Sequence, residues 1–420
     1  MNELEVSLYG QIVGTLFESE DGIYFEYTKD FINSGLEISP LKLPLKTGLY
    51  TNRDDRHYQT LAGVFHDSLP DKFGTAVIEK YYSTKGIEPN ELSVLQKLAF
   101  VGDRAMGGLE YKPKEKLDDD TPLQEALAIR GMYDASRIIV EDKPIETIHQ
   151  IMNFMRSGAS AGGARAKAII GWDRDQKMMK SGGLFTDAYE QWIIKFDAMD
   201  ERTQKSTDFT KLEYLYMKMA KESGINVPQI ELIDDGELTH FLIKRFDRLK
   251  EGKKVHMHSL ASMTHVDFNQ PMHYSYDETL RLTSYITNDE RDTEELFRRA
   301  VFNVIARNQD DHAKNTSYLM DEKGKWCLSP AYDITYANGQ GFTKNHQMSI
   351  AGKIRDISRD DIYKLAEKTK LSKHKQDEII EKVIDSVSTF KDKAKTLGIN
   401  KKLVELVNHD FLIREFKLNK

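Results

Sequence analysis

The alternation of apolar and polar positions is clearest at the start of the chain. Leu4-Glu5-Val6-Ser7-Leu8-Tyr9-Gly10 and Gln11-Ile12-Val13-Gly14-Thr15-Leu16 carry the period of two that a half-buried strand needs. They predict a hairpin, and Ile23-Tyr24-Phe25-Glu26-Tyr27 predicts a third strand. The pattern turns helical around Leu61-Ala62-Gly63-Val64-Phe65, after which Asp67-Ser68-Leu69-Pro70-Asp71 reads as a turn and a helix start. Further on, a helix is expected near 144–156, a glycine-rich stretch at 157–163, and strands over 166–172 and 191–196. A helix over 209–223 puts Leu212, Leu215, Tyr216 and Met219 on one face, with Gly224 and Pro228 beyond it as stop signals. Strands over 230–233 and 239–246 should pair. From about 256 the chain reads mostly helical, most clearly over 293–306, where Leu296, Phe297, Ala300, Val301, Val304 and Ile305 recur at helical spacing. No repeat of solenoid length is visible.

Such a mixture is α+β. At 420 residues the chain is long enough for roughly three domains and for a core that needs no staple. The charged run Lys112-Pro113-Lys114-Glu115-Lys116-Leu117, followed by Asp118-Asp119-Asp120, cannot form an apolar period and marks a linker or a solvated loop. Three regions are therefore expected: 1–120 mixed, 121–255 strand-rich with the glycine loop, and 256–420 mostly helical. Hydrophobic residues at 40% exclude a disordered chain. A single cysteine, Cys327, excludes an internal disulfide framework and a cysteine-rich metal site, and fits a reducing, cytoplasmic setting. No apolar run approaches the ~18 residues of a membrane span, so no membrane partner is expected. The net charge of -7 argues against general nucleic-acid binding. Residues 361–420 hold 14 Lys and Arg against 10 Asp and Glu, which a solvated helical face explains.

Two segments carry candidate chemistry. Asn308-Gln309-Asp310-Asp311-His312-Ala313-Lys314-Asn315 follows the apolar helix, and Ser329-Pro330-Ala331-Tyr332-Asp333-Ile334 follows a hairpin expected from Ser317-Tyr318-Leu319-Met320 and Lys325-Trp326-Cys327-Leu328. Phosphoryl transfer needs a group to orient a hydroxyl and oxygen ligands for Mg²⁺ on a nucleotide. Asp310 and Asn315 have the Asp-x-x-x-x-Asn spacing that protein kinases use for base and metal ligand, and Asp333 stands where a later metal-binding acid is needed. Asp and Asn are also common turn residues, and His312 reads singly as an ordinary surface side chain. Ser157-Gly158-Ala159-Ser160-Ala161-Gly162-Gly163-Ala164-Arg165-Ala166-Lys167 offers backbone N–H groups for phosphates, or a flexible surface turn. Lys195, inside Trp192-Ile193-Ile194-Lys195-Phe196, suits a phosphate-contacting lysine with Glu213 as its partner; a lysine reaching solvent from an edge strand is the other reading.

Together these segments resemble the HipA family of serine/threonine kinase toxins. The resemblance rests on Leu8-Tyr9-Gly10 through Ser68-Leu69-Pro70-Asp71, Gly162-Gly163-Ala164-Arg165-Ala166-Lys167, Ile243-Lys244-Arg245-Phe246-Asp247-Arg248, Asp310-Asp311-His312-Ala313-Lys314-Asn315 and Ser329-Pro330-Ala331-Tyr332-Asp333. It implies a kinase-like two-lobe fold behind an N-terminal domain, with ATP and Mg²⁺ as cofactors. Asp310 is then the base, and Asn315 and Asp333 bind Mg²⁺. Lys195 and the loop Ala161, Gly162, Gly163, Ala164, Arg165, Ala166 and Lys167 contact phosphates, and His312 and Lys314 also bind the nucleotide. Lys244, Arg245 and Phe246 form the adenine-side hinge through their backbone. Two positions depart from the family's pattern: Lys244 replaces an acid and Arg165 a glutamine. Ser160, with Ser157 second, falls where the family autophosphorylates. The implied partners are a HipB-like helix-turn-helix antitoxin, operator DNA mainly through that antitoxin, and a protein substrate such as an aminoacyl-tRNA synthetase. A small-molecule or lipid kinase and a catalytically silent co-repressor are the competing readings.

Overall fold

The computed structural model describes residues 2–115, 129–143, 165–176, 178–181, 189–198 and 208–417. The helix expected near 144–156 and the glycine-rich stretch with Ser157 and Ser160 lie outside these residues.

The first hairpin forms as its alternation predicts. Strands β1 (Glu3–Leu8) and β2 (Gln11–Ser19) pair antiparallel through a two-residue turn, with Leu8 opposite Gln11. Both turn residues have positive φ, 53° at Tyr9 and 76° at Gly10, as a type I′ turn requires. Tyr9 is a costly choice there. Its hydroxyl makes up for it, accepting the His256 N–H at 2.8 Å and donating to the Met320 carbonyl, far along the chain. Strand β3 (Gly22–Tyr27) and the short β4 (Leu49–Thr51) extend one edge and β5 (Glu110–Lys112) the other, giving the order β4-β3-β2-β1-β5. Helices α1 (Lys29–Ser34), α2 (Gly63–His66), α3 (Lys72–Thr84), α4 (Val94–Val101) and α5 (Ile129–Val140) accompany this sheet or follow it.

A second antiparallel sheet has the order β7-β6-β8-β10-β9, from β6 (Lys167–Asp173), β7 (Met178–Ser181), β8 (Glu190–Lys195), β9 (Ile230–Asp234) and β10 (Thr239–Lys244). Its side chains divide strictly by parity. Ala168, Ile170, Trp192, Ile194 and Leu242 bury against α5 and against Phe73, Val77, Ile78 and Tyr81 of α3. Ile169, Ile193, Phe241 and Ile243 face the other way, toward helix α6 (Phe209–Glu222). Each large apolar side chain so buried contributes roughly 1.5–3 kcal/mol. Helix α3, although it belongs to the first hundred residues, is thus the backing layer of the second sheet.

The remaining chain is mostly helical: α7 (Leu260–Thr264), α8 (Tyr276–Thr287), α9 (Glu290–Ile305), α10 (Arg359–Ala366), α11 (Lys373–Ser388), α12 (Phe390–Thr396), α13 (Lys401–Asp410) and α14 (Ile413–Phe416). The expected hairpin forms as β12 (Ser317–Met320) and β13 (Trp326–Leu328). A third strand, β11 (His256–Ser259), lies beside β12. Its sequence, His-Met-His-Ser, reads as polar, yet His256 and His258 are fully buried.

Asp67, just after α2, shows why. Helix α2 approaches α7 so closely that a Cβ on Gly63 would lie 2.0 Å from the Ser262 carbonyl oxygen, so only glycine fits. The Asp67 carboxylate then accepts from His258 Nδ1 at 2.8 Å and from the Ser259 N–H and the Ser259 and Ser262 hydroxyls, each at 2.7 Å. His258 Nε2 lies 3.0 Å from Ser39 Oγ. The Ser39–His258–Asp67 order is that of a hydrolytic triad, but Ser39 and His258 have no exposed surface and act as a staple between the N-terminal region and β11. Burial alone would push the Asp67 carboxyl up; His258, Ser259 and Ser262 outweigh it and hold it at about 2. An acid depressed in the folded state stabilises above its unfolded value and loses that contribution as pH falls toward its folded value. The stability gap between wild type and Asp67→Asn is therefore expected to be full at pH 5 and to shrink by about 2 kcal/mol by pH 2, measured by urea unfolding across that range. A gap independent of pH would contradict the staple.

Candidate functional site

Between the second sheet and the helical region lies a cleft of about 440 Å³, walled by Ile193 and Lys195 from β8, by 243–246 and by Asp310, His312, Lys314, Asn315, Tyr332 and Asp333. Helix α9 ends at Ile305 because Arg307 turns to φ 57°, and the chain leaves the core as the Asn308–Asn315 segment. Of its two adjacent acids, Asp311 turns inward. It accepts from the Gln347 N–H and His346 Nδ1, each at 2.8 Å, and from the Tyr276 hydroxyl at 3.0 Å. Asp310 turns to the cleft, where its side chain keeps 41% exposure and one oxygen lies 3.6 Å from His312 Nε2. Burial, with the charges of Asp333 and Asp311, raises its carboxyl above the usual range against the opposing pull of His312 and Arg165. A raised carboxyl suits a group that must accept a proton.

Asn315 donates its amide N–H to the Asp310 carbonyl at 2.9 Å, leaving its oxygen for a cation. Asp333 sits at φ 53°, a strained position that short polar side chains tolerate and that recurs at functional sites. Its carboxylate meets Lys195 Nζ, which also reaches Glu213 of α6 at 2.5 Å. Burial would drive the Lys195 ammonium down, but the two carboxylates win and raise it. Burial likewise pushes Asp333 up, and Lys195 with Lys167 overcomes this and lowers it. The sheet, α6 and the segment after β13 thus meet at one ion-pair triad. Among the described residues, no group of three or more His, Cys, Asp or Glu side chains is arranged to hold a metal by itself.

The other expected contacts divide. His312, Lys314, Lys244, Arg245 and Phe246 line the cleft. The Lys244 and Arg245 N–H groups are taken by the Gln229 and Gln191 carbonyls, each at 2.9 Å, and the side chains bind Glu190 and Asp247 respectively. Backbone reading of a base would fall to Phe246 and to carbonyls. Arg165, Ala166 and Lys167 do not line the cleft. Arg165 lies over the Phe209 ring at 4.8 Å, Ala166 is buried with its carbonyl on the Phe196 N–H, and Lys167 is paired with Asp71. Ala161, Gly162, Gly163 and Ala164 are outside the described residues, as are Ser157 and Ser160. Sequence reasoning missed Asp67, Asp71, Met106, Phe268 and Asn269 in the cleft wall. Phe268 lies 5.3 Å from the His312 ring and under the Lys314 ammonium. A buried lysine at the head of an apolar strand was the available signal for Asp71, since it requires an anion.

A strand lysine bridged to a helix glutamate, opposite a loop with acid and amide five residues apart, defines a kinase-like two-lobe fold. The chain belongs to the HipA family: residues 159–390 match the HipA-like C-terminal domain and residues 4–112 the HipA N-terminal domain. It is 28% identical over 397 residues to Y4dM of Sinorhizobium fredii, a protein provisionally named a kinase, covering 88% of this chain and 86% of that one. It is 23% identical over 354 residues to the serine/threonine-protein kinase toxin HipA of Shewanella oneidensis, covering 79% and 74%. In fold it is similar to a chain of the Shewanella oneidensis complex of HipA, HipB and operator DNA, with a TM-score of 0.67, 17% identity and coverage of 98% and 95%. No helix among the described residues is long and apolar enough to cross a membrane.

Proposed function

We propose that the protein is an ATP- and Mg²⁺-dependent protein serine/threonine kinase, the toxin of a type II toxin–antitoxin system acting in the cytoplasm. The observation that carries this reading is the Lys195 ammonium held between Glu213 and Asp333 on the floor of a cleft that Asp310 and Asn315 also line. Lys195 would orient the phosphate chain, and Asp310 would accept the hydroxyl proton of the acceptor. Asp333 and Asn315 are the residues that would hold Mg²⁺; a carboxylate and an amide oxygen are the hard donors it takes, with phosphate oxygens completing the shell. When bound, the cation neutralises charge on the transferred phosphate. The likeness in fold to a chain of the HipA, HipB and operator DNA complex supports a HipB-like antitoxin as partner, with operator DNA contacted through it; a translation component such as an aminoacyl-tRNA synthetase is proposed as substrate on the family resemblance alone.

Autophosphorylation at Ser160, or Ser157, is part of the proposal. A phosphate there adds about -1.5 to -2 charge to a loop that must approach ATP. Incubation of purified protein with labelled ATP and Mg²⁺ is expected to label wild type and leave Asp333→Ala unlabelled, with the label mapping to Ser160 or Ser157. Modification only at other residues would remove the switch. A wild type that neither binds nor turns over ATP would leave the co-repressor reading.

A further inference from the structure

Asp71 brings a charge into the cleft that the kinase reading leaves unused, and it comes from the N-terminal part of the chain. Lys167 and Lys195 are directly opposed on the neighbouring strands β6 and β8. Ile169, two residues after Lys167, shares the α6-facing side of the sheet with Ile193, two before Lys195. The two lysine side chains therefore leave the same face, with Cβ atoms about 5 Å apart. Like charges so placed are unfavourable unless anions meet them. Lys195 has Glu213 and Asp333. Lys167 meets Asp71, Nζ to Oδ2 at 2.8 Å, in a pair whose side chains are each only 3% exposed.

Asp71 is itself fixed. Its other oxygen caps α3, accepting the Gly74 N–H at 2.8 Å, and α3 is packed against the back of the same sheet. Buried ion pairs are expensive to desolvate, and apolar side chains of similar volume usually stabilise a fold as well or better. Stability alone is a weak reason for this pair. Its location beside the phosphate lysine supplies a stronger one.

We propose that Asp71 is a positioning residue for nucleotide binding: it lines the cleft and holds the Lys167 ammonium just behind the cleft wall beside Lys195, so that two cations in register set the positive field at the phosphate site. The inference rests on the nucleotide-binding reading above and adds that the N-terminal region is a working part of that site. Displacing the start of α3 would displace Lys167 with it.

The test is a cycle of Asp71→Asn, Lys167→Met and the double variant. Each is measured for binding of a non-hydrolysable ATP analogue with Mg²⁺ and for its unfolding temperature. Asparagine keeps the capping oxygen and the shape but removes the charge. Asp71→Asn is expected to bind the analogue about tenfold more weakly or worse and to unfold earlier. The double variant, with neither member of the pair charged, is expected to regain the wild-type unfolding temperature but not the affinity. Wild-type affinity in the double variant would make the pair purely structural and overturn the inference, as would undiminished binding by Asp71→Asn. A wild type that binds no nucleotide overturns the nucleotide reading itself, and the inference with it.

Discussion

Replacing Asp310, the proposed base, by asparagine is expected to lower phosphoryl transfer by a factor of about 10²–10⁴, the usual contribution of a positioned base, while analogue binding changes little. The asymmetry follows from where the side chain stands. Among the described residues its one ion-pair partner within 4 Å is the His312 imidazole, at 3.6 Å, and it keeps substantial exposure at the cleft surface. The backbone carbonyl that receives Asn315 is untouched by the substitution. Because Asp333 and Asp311 disfavour the ionised form, neutralising Asp310 should leave thermal stability unchanged or slightly higher. The wild-type rate is expected to rise with pH as this carboxyl ionises, above the usual carboxylate range, and that acid limb should vanish in Asp310→Asn. Single-turnover rates from pH 4 to 8, with an unfolding temperature for each protein, measure both effects. Near-wild-type turnover in the variant would remove Asp310 as the base and turn attention to His312.

What the sequence made legible was local. Period-two strands such as 3–8 and 11–19, and the apolar stripe of α9, are written in neighbouring residues, and the structure has them where the pattern places them. Lys195 and Glu213 stood out because a lysine within Trp-Ile-Ile-Lys-Phe needs an anion, and a helix eighteen residues on could bring one. The same argument, applied to Lys167, would have demanded a partner, but nothing local names Asp71, 96 residues earlier. Strand β11 was hidden for a related reason. His256 and His258 look polar until Tyr9, Ile38, Ser39 and Asp67 are folded against them. Which of Asp310 and Asp311 faces the cleft was likewise settled by distant groups, since Tyr276, His346 and Gln347 hold Asp311 inside. The candidate residues of the C-terminal region that line the cleft were readable from spacing, whereas the N-terminal contribution to the cleft depends on contacts between remote segments.

Asp247→Ala is expected to be the most destabilising single substitution among these buried charges, costing about 3–5 kcal/mol, the range for removing one partner of a buried ion pair. Asp247 has no exposed surface. It accepts Arg245 Nε and Nη2 at 2.9 and 2.7 Å, Arg248 Nη1 at 2.8 Å and the Gly107 N–H at 2.7 Å. Burial would raise its carboxyl, but the two guanidinium groups outweigh it and hold it far below the usual range. Two cations thus share one anion, and the strain already shows: burial and the neighbouring Arg245 lower Arg248 to about 10. Removing the carboxylate leaves two adjacent guanidinium groups, each at most 5% exposed, with the backbone carbonyl oxygens of Ala105, Gly107 and residue 247 itself among their remaining acceptors. The cluster also ties residues 245–248, which continue from the cleft wall, to the 105–107 loop of the N-terminal region. Analogue affinity should therefore fall together with stability. Arg248→Met, which leaves a balanced Arg245–Asp247 pair, should be tolerated far better. Urea titrations report the difference as a shift of midpoint at constant slope. A loss below about 1 kcal/mol in Asp247→Ala would mean that water reaches and solvates the arginines, and that this cluster adds little to the joining of the two regions.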